Sequence, residues 1–297
     1  MLTEHISPRF LDLDSWSTSE MTAAMYDGQL LACAAVRPAL PAINAAVDDA
    51  ASALRRGGRL VYIGAGTSGR IAIQDGAELG PTYDWPRDRI VFVIAGGMQA
   101  LLQSVEGAED NEEKGEEAIA RADVDQNDVV IAVAASGTTP FTIGALRCAG
   151  ARGALSIAVA NNRGAPLLEL ARHRILIETG TEVLAGSTRM QAGTAQKIVL
   201  NLFSTAVMVK LGRVYRGLMV GMRASNAKLV RRAQIIVSQI AGCNENDAAQ
   251  FVQQAEGDVK IAVLLALGWE QTDAIEALLR HEGNLRAVID ELARDPD

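Results

Sequence analysis

The fold class is decided by the stretch Arg59-Leu-Val-Tyr-Ile-Gly-Ala-Gly-Thr-Ser-Gly-Arg70, in which a short apolar run passes directly into a glycine-rich turn. An apolar run without polar alternation is typical of a strand that is covered on both faces. Glycines behind such a strand let the backbone approach a ligand closely at the start of a helix. The stretch therefore predicts a strand, a tight loop and a helix.

Four more apolar runs follow and alternate with helical patterns. The five predicted strands are Arg59 to Ile63, Ile90 to Ala95, Asp128 to Val133, Leu155 to Ala160 and Arg174 to Glu178. This alternation predicts an α/β fold with a doubly wound parallel sheet flanked by helices. Ligands of such sheets bind beyond the carboxyl ends of the strands. We therefore expect the functional residues in the loops that follow the strands.

Helical sequence flanks the predicted sheet on both sides. Ser17-Thr18-Ser19-Glu20 has the spacing of a capping box, and alanine-rich sequence continues from it with a break near Pro38 and Pro41. After Asn226 the predicted helices are Asp247 to Glu256, Asp258 to Leu267, Glu270 to Arg280 and Asn284 to Leu292. We predict a catalytic sheet domain over residues 1–225 and a small all-helical domain, similar to ubiquitin-associated domains, over residues 226–297.

Composition excludes several classes of partner. The 297 residues are 49% hydrophobic and carry a formal net charge of −8, with no basic stripe, so we expect no nucleic-acid partner. The start of the chain has no secretory pattern, which favours a cytoplasmic protein. The most apolar stretch, Ile198 to Leu211, is too short to span a bilayer, so we expect no membrane partner. The isolated Cys33, Cys148 and Cys243 are expected to be buried, reduced thiols.

Three loops rich in serine, threonine and glycine are the candidates for ligand binding. The first carries Thr67 and Ser68 at the start of a helix, and the second follows the third strand. The second and third loops add Ser136, Thr138, Thr139 and Ser187. Hydroxyl groups and the free N–H groups of a helix start hold phosphate well, whatever the net charge of the chain. These loops predict a cradle for one phosphate of a small molecule.

The first loop also matches the dinucleotide fingerprint G-x-G-x-x-G, so a nicotinamide cofactor is an alternative. That interpretation requires an acidic residue at the end of the second strand, where it would hold a ribose hydroxyl. Here the second run, Val91-Phe-Val-Ile-Ala-Gly-Gly97, ends in glycines. The small phosphate is therefore the better interpretation of the first loop.

Carboxylates are the candidates for proton transfer. Asp75 and Glu78 lie on the helix after the first loop, and Glu109 lies in an acidic stretch beyond the second strand. Glu78 precedes Leu79-Gly-Pro-Thr82, where the helix should stop, and partial burial there would tune it into a proton donor near neutral pH. The three histidines are scattered without companion ligands, so we expect no metal site.

Five segments together resemble a known family. They are Arg59 to Arg70, Asp75-Gly-Ala-Glu78, Val105-Glu-Gly-Ala-Glu-Asp110, Ala134-Ala-Ser-Gly-Thr-Thr-Pro140 and Gly186-Ser-Thr-Arg-Met-Gln-Ala-Gly-Thr-Ala-Gln-Lys197. In this order, and over essentially the whole chain, they resemble the N-acetylmuramic acid 6-phosphate etherases. The stretch from Gly186 to Lys197, followed by Leu200-Asn-Leu-Phe-Ser-Thr205, is the most specific part of the resemblance.

The resemblance implies a sugar isomerase-type (SIS) fold, a homodimer and no cofactor. The implied reaction removes D-lactate from N-acetylmuramic acid 6-phosphate and leaves N-acetylglucosamine 6-phosphate, as part of peptidoglycan recycling. The proton donor of the family falls on Glu78, and its second catalytic glutamate falls on Glu109.

Two departures from the family pattern concern the site. The usual Ser-Gly-Arg-Thr-Pro is Ser136-Gly-Thr-Thr-Pro140 here, and the usual Cys-Pro after the first glutamate is Leu79-Gly80. Replacement of an arginine by Thr138 removes a side chain that can bind an anion through two parallel hydrogen bonds. The identity of the sugar, or the way its lactyl carboxylate is held, can therefore differ from that in the family. Two other functions stay open at this point. One is a non-catalytic phosphosugar sensor of the glucokinase-regulator type, and the other is an aldose–ketose phosphosugar isomerase.

Overall fold

Five parallel strands form one sheet, and each predicted apolar run contributes one of them. The strands are β1 (Leu60–Gly64), β2 (Ile90–Ile94), β3 (Val129–Val133), β4 (Leu155–Ala160) and β5 (His173–Leu176). Their order in space is β2-β1-β3-β4-β5, so the winding of the sheet changes direction between β1 and β3. Every residue of β1 and β3 is buried, which explains the absence of polar alternation in the sequence. The predicted doubly wound sheet is confirmed.

Helices cover the sheet and build the rest of the chain. They are α1 (Thr18–Val36), α2 (Leu40–Arg55), α3 (Gly66–Ala77), α4 (Leu79–Tyr83), α5 (Glu112–Arg121), α6 (Pro140–Ala151), α7 (Pro166–Glu169), α8 (Gln191–Lys210), α9 (Ala227–Ala241), α10 (Glu245–Gln254), α11 (Val259–Ala266), α12 (Gln271–Arg280) and α13 (Leu285–Leu292). The predicted capping box begins α1, because the Ser17 side chain and the Glu20 carboxylate each accept from the other residue's backbone N–H. A 3-10 turn at Arg37–Ala39 makes the predicted break before α2.

A computed structural model describes residues 1–224 and 226–292 of the chain. These residues form two compact units: the first contains Met1–Ala77 and Asp88–Thr205, and the second contains Glu78–Arg87 and the described residues from Ala206 onward. The predicted domain limit at residue 225 and the last five residues, 293–297, lie outside the described residues. The division into domains 1–225 and 226–297 stays a prediction.

One core cluster of the first unit lies on the face of the sheet beneath α5, α6 and α7. Side chains of β1, β3 and β4, such as Ile63, Ala132 and Ala158, pack with Ile119 of α5 and with Leu146 of α6. Helices α2 and α3 also contact the strands. Burial of one such aliphatic side chain contributes about 1.5–3 kcal/mol, so this layer holds the strand ends in fixed register.

The amino ends of β1 and β3 are held together by the ion pair of Arg59 with Asp128. Arg59 donates from Nη2 to Oδ2 at 2.6 Å and from Nε to Oδ1 at 3.1 Å, and its backbone N–H donates to Oδ1 at 2.9 Å. Burial alone would raise the pKa of Asp128, but hydrogen bonds from Arg59 and Asp125 outweigh it and hold this pKa below its ordinary value. The pair therefore joins the amino-terminal ends of β1 and β3, at the opposite end of these strands from the loops with hydroxyl groups.

The second unit is mainly helical, as predicted, and has a core of its own. Helices α9 to α12 contribute Ile236, Val252, Val263 and Ala277 to this core, with Tyr215 from a short hairpin. The hairpin pairs β6 (Val214–Tyr215) with β7 (Leu218–Met219). The four helices predicted after Asn226 are confirmed within a few residues, whereas α9 and the hairpin were not predicted.

Two expectations drawn from apolar residues need qualification. Among the described residues, the helical run Thr18–Arg55 meets the length and composition of a membrane span, with a mean hydropathy of 1.6 and 33% of that window buried. A core helix of a soluble protein meets the same criterion, and α2 contacts β3, β4 and β5, so the run is weak evidence for a membrane. The expectation of three buried thiols is wrong, because Cys33 is exposed and the other two are partly buried.

Candidate functional site

The first hydroxyl loop places Thr67 and Ser68 in the first turn of α3, directly behind β1. Ser68 is buried and Thr67 is partly buried. A Cβ at Gly64 would lie 2.8 Å from the Cα of Gly69, so glycine at these positions lets the helix start close to the strand end. The first N–H groups of a helix have no partner within it, and they point toward a ligand at this end.

The second hydroxyl loop joins β3 to α6. Ser136 and Thr139 are partly buried, and Thr138 is exposed. The Ser136 hydroxyl accepts a hydrogen bond from the backbone N–H of Thr138 at 3.2 Å, and Thr139 is the N-cap residue of α6. At Gly137, φ is +67° and an added Cβ would lie 2.3 Å from the Cβ of Ala165, so glycine alone fits this turn.

The third hydroxyl loop carries the partly buried Ser187 and leads into α8. The N–H of Gly193 donates to the carbonyl of Thr188 at 2.8 Å, and an added Cβ at Gly193 would lie 3.5 Å from Cγ2 of Thr67. Thr67 therefore lies against the start of α8. The structure brings the first and third predicted loops together at this point.

The start of α8 is already occupied by a carboxylate that the sequence analysis missed. Glu182 is 1% exposed and accepts hydrogen bonds from the N–H groups of Gln191 at 2.8 Å and Ala192 at 2.9 Å. Burial raises the pKa of Glu182, and nearby Glu4 adds to the rise, while the two N–H groups oppose it. Because these two N–H groups donate to Glu182, they are not free to bind an anion at the third loop.

Two buried asparagines behind β4 were also missed. The backbone N–H of Asn161 and the Nδ2 of Asn162 both donate to the carbonyl of Ala135, at 3.0 and 2.9 Å. Asn161 also donates to the carbonyl of Ile177 and accepts from Gln196 of α8 at 2.8 Å. This network fixes the backbone directly before Ser136. A polar pair immediately after a buried strand is the signal by which the sequence could have revealed it.

Asp75 holds α3 against α8. Its carboxylate is buried and accepts from Asn201 at 2.7 Å, Tyr62 at 3.0 Å and Ser204 at 3.1 Å. Burial raises the pKa of Asp75 against the lowering effect of these three donors. Asn201 accepts in turn from Lys197. Asp75 thus links the two helices behind the loops, because Asn201 and Ser204 both lie on α8.

The two predicted catalytic glutamates are both exposed. Glu78 precedes α4 in the second unit, and Glu109 lies in the 3-10 turn Ala108–Asp110 of the first unit. The expectation that Glu78 is partly buried at the helix end is wrong for the single chain. The helix end itself is as predicted, because α3 ends at Ala77.

Within residues 1–224 and 226–292, no group of three or more histidine, cysteine, aspartate or glutamate side chains is arranged to hold a metal ion. The predicted binding residues on the hydroxyl loops, Thr67, Ser68, Ser136, Thr138, Thr139 and Ser187, all belong to the first unit.

Comparison with known proteins identifies first the class and then the family. The glucokinase regulatory protein N-terminal SIS domain matches residues 42–150, and with the sheet order it defines an α/β protein of the SIS type. An N-acetylmuramic acid 6-phosphate etherase of Deinococcus radiodurans is 47% identical over 290 residues, which are 97% of this chain and 95% of the relative. One from Salmonella typhi is 43% identical and covers 98% of each chain. The chain therefore belongs to the N-acetylmuramic acid 6-phosphate etherase family and is an enzyme, a carbon–oxygen lyase.

Solved structures with similarity to the chain include a phosphoheptose isomerase from Francisella tularensis. It is 16% identical, with a TM-score of 0.48, and the match covers 65% of this chain and 100% of that chain.

Proposed function

We propose that this protein cleaves the D-lactyl ether of N-acetylmuramic acid 6-phosphate and yields N-acetylglucosamine 6-phosphate and D-lactate. The observation that carries the proposal is a set of hydroxyl-bearing loops behind β1 and β3 and before α8, in a chain that belongs to the etherase family. Peptidoglycan recycling in the cytoplasm is the metabolic setting that we propose for this activity.

The 6-phosphate is held by Thr67, Ser68, Ser136 and Thr139 in this proposal, and Thr138 and Ser187 are further contacts to the substrate. The start of α3 supports the assignment, because its first N–H groups accompany the hydroxyls of Thr67 and Ser68. Glu182 occupies the start of α8, so α3 supplies the helix terminus that favours the dianion. Several short donors around one phosphate replace its water shell without a metal.

The chemistry is an elimination followed by hydration. Opening of the sugar ring exposes an aldehyde at C1, which acidifies the proton on C2. A base removes this proton, an acid protonates the lactyl oxygen as the C3–O bond breaks, and D-lactate leaves a C2=C3 double bond. Water then adds its oxygen to C3, and a proton returns to C2. Two carboxyl groups suffice for these transfers.

Glu78 is the proposed acid for the lactyl oxygen, and Glu109 is the proposed partner base, acting at C2 or on the water that adds to C3. Their exposure in the single chain supports access to a ligand that arrives from solvent. Positioned acid and base groups each contribute about 10²–10⁴-fold to rate. We therefore expect Glu78→Gln and Glu109→Gln to lower kcat by about this factor and to change substrate binding little.

The route is tested by isotopes and by these variants together. Turnover in heavy water places deuterium on C2 of the product, and turnover in ¹⁸O water places the label on C3 of the sugar and none in lactate. Glu113→Gln, an exposed change on α5, is the matched control and keeps full activity. Label in the released lactate, or full activity of either active-site glutamine variant, contradicts the elimination route.

The same assay separates the two other functions. A phosphosugar sensor binds N-acetylglucosamine 6-phosphate and releases no lactate, whereas an isomerase interconverts an aldose phosphate and a ketose phosphate. The etherase names of relatives at 43–47% identity over nearly the full chain support the lyase over both alternatives.

A homodimer is the assembly that we propose for the active protein. Helix α1 supports it, because its large apolar residues Tyr26, Leu30 and Leu31 are 64%, 51% and 60% exposed. The buried stripe of α1 consists of Ala24, Gly28, Ala32 and Val36. A helix that buries small residues and exposes large apolar ones can pack these apolar side chains against a second copy of the chain.

A further inference from the structure

The first residues of the chain contain a fully buried polar side chain. Thr3 lies in the 3-10 turn Leu2–Glu4 and has 0% exposure. Its hydroxyl accepts a hydrogen bond from Nδ2 of Asn162 at 3.0 Å, and its backbone N–H donates to Oδ1 of the same residue at 3.4 Å. Its burial and these two hydrogen bonds tie the segment Leu2–Glu4 to Asn162.

The partners of Thr3 belong to two of the hydroxyl loops. Asn162 uses the same Nδ2 group to donate to the carbonyl of Ala135 at 2.9 Å, and Ala135 directly precedes Ser136. The carbonyl of Thr3 accepts from the N–H of Gly186 at 2.8 Å, and Gly186 directly precedes Ser187. Thr3 is therefore hydrogen-bonded to Gly186, the residue before Ser187. It is also linked to the Ser136 loop, because Asn162 donates both to Thr3 and to Ala135.

A second contact joins the chain start to the same region. The hydroxyl of Thr138, two residues after Ser136, lies 4.0 Å from Sδ of Met1. At Gly186, φ is +76°, which favours glycine, and an added Cβ would lie 2.9 Å from Oε2 of Glu4, so this turn lies beside the chain start. The N-terminal segment Met1–Glu4 is thus packed between the second and third loops.

We propose that Thr3 is a positioning residue for substrate, which sets the distance between Ser136 and Ser187. The proposal rests on the proposed function, in which both hydroxyls contact the phosphorylated sugar. Thr3 touches neither the substrate nor the reacting atoms in this role. It acts through Asn162 and Gly186, so its removal weakens the grip on the sugar phosphate and leaves the proton transfers intact.

The test compares Thr3→Val with Thr3→Ser in the full chain. Valine keeps the shape and leaves Nδ2 of Asn162 without its second acceptor, whereas serine keeps the hydroxyl. We expect Thr3→Val to raise KM, and the Kd of N-acetylglucosamine 6-phosphate measured by calorimetry, about tenfold, with kcat within about threefold of the wild type. Thr3→Ser restores both constants to within about twofold of the wild type.

A double-mutant cycle with Ser136→Ala shows whether the effect passes through the loop. If Thr3 positions Ser136, the tenfold effect of Thr3→Val shrinks markedly in the Ser136→Ala background. Additive effects, or a lower Tm with unchanged KM and Kd, overturn the proposal and leave Thr3 a stabilising residue. Thr3→Ala, which leaves room for water, replaces the valine variant if that chain does not fold.

Failure of the proposed function is distinguishable in the same experiment. If the wild type binds N-acetylglucosamine 6-phosphate and releases no lactate, the etherase proposal fails, and the Kd values of the Thr3 variants still decide the role of Thr3. If the wild type does not bind this sugar phosphate, both proposals fail.

Discussion

Ser68 and Ser136 differ from ordinary surface serines because the fold restricts the space around them. Ser68 is 8% exposed in the first turn of α3, and Ser136 follows a backbone that Asn161 and Asn162 hold. A hydrogen bond to a charged partner contributes about 1.5–3 kcal/mol, so Ser68→Ala and Ser136→Ala should each weaken phosphosugar binding at least tenfold. Calorimetry with N-acetylglucosamine 6-phosphate measures this effect.

The matched control is Ser19→Ala, which removes an exposed hydroxyl from α1. It should leave the Kd unchanged within about twofold, because its hydroxyl lies outside the three loops. If the two loop variants bind as the control does, the phosphate is held elsewhere and the assignment of the loops is wrong.

For individual residues, the sequence predicted the hydroxyl groups of the loops but not the residues that fix the loop backbones. Thr67, Ser68 and Ser136 were identifiable because each follows a strand whose apolar run is unambiguous. Thr3 was not, since its partner Asn162 is 159 residues away and no local pattern encodes that contact. Glu182 was missed for a related reason, because its helix-capping role depends on a loop that brings it back to Gln191 and Ala192. Spacing along the chain predicts helix and strand ends, whereas these contacts require the folded sheet.

Among the elements, β1 and β3 depend on the Arg59–Asp128 pair at their amino ends. Asp128 is 2% exposed, and Asp128→Asn removes the carboxylate that is hydrogen-bonded to Arg59, so we expect a loss of about 3 kcal/mol in the free energy of unfolding. Urea denaturation measures it. Glu169→Gln is the control, because its pair with Arg174 is exposed and should contribute about 0–1 kcal/mol.

The pH dependence of this contribution has a definite sign. The pKa of Asp128 is lower in the folded chain than its ordinary value of 3.8, so the pair stabilises fully above that value and loses its effect as pH falls through the folded pKa. The difference between wild type and Asp128→Asn should therefore be constant at neutral pH and shrink in acid below 3.8. A difference that grows on acidification contradicts the assigned role.

The elements themselves were predicted unevenly. The strands were found within about two residues, because continuous apolar runs between glycine-rich turns leave few alternative structures. Helix α9 was missed although Asn226 caps its start and Gly242 ends it in the left-handed conformation. Its terminal signals were present, but the helices predicted after Asn226 began only at Asp247. The strands of the hairpin, β6 and β7, have two residues each, which is too few to show an alternation of apolar and polar residues in the sequence.

For the whole molecule, similarity over nearly the full chain is the strongest constraint on function. The relatives share 43–47% identity across both compact units, so the family assignment does not depend on the SIS domain alone. Glu78 and Glu109, the two proposed catalytic residues, fall in different compact units. Local motifs identified both residues, but the surroundings of a carboxylate depend on the assembled protein.

The last prediction concerns that assembly. If the exposed side of α1 covers a second copy, Leu31→Glu places a charge in the apolar contact, and sedimentation velocity should show a monomer where the wild type is a dimer. Leu279→Glu is the control, because this leucine is 75% exposed on α12 and its replacement should leave the dimer intact. We also propose that the active sites lie near the subunit boundary, so the Leu31→Glu monomer should lose lactate release. A wild-type monomer that is fully active, or a dimer that persists in Leu31→Glu, rules out α1 as the interface of the active enzyme.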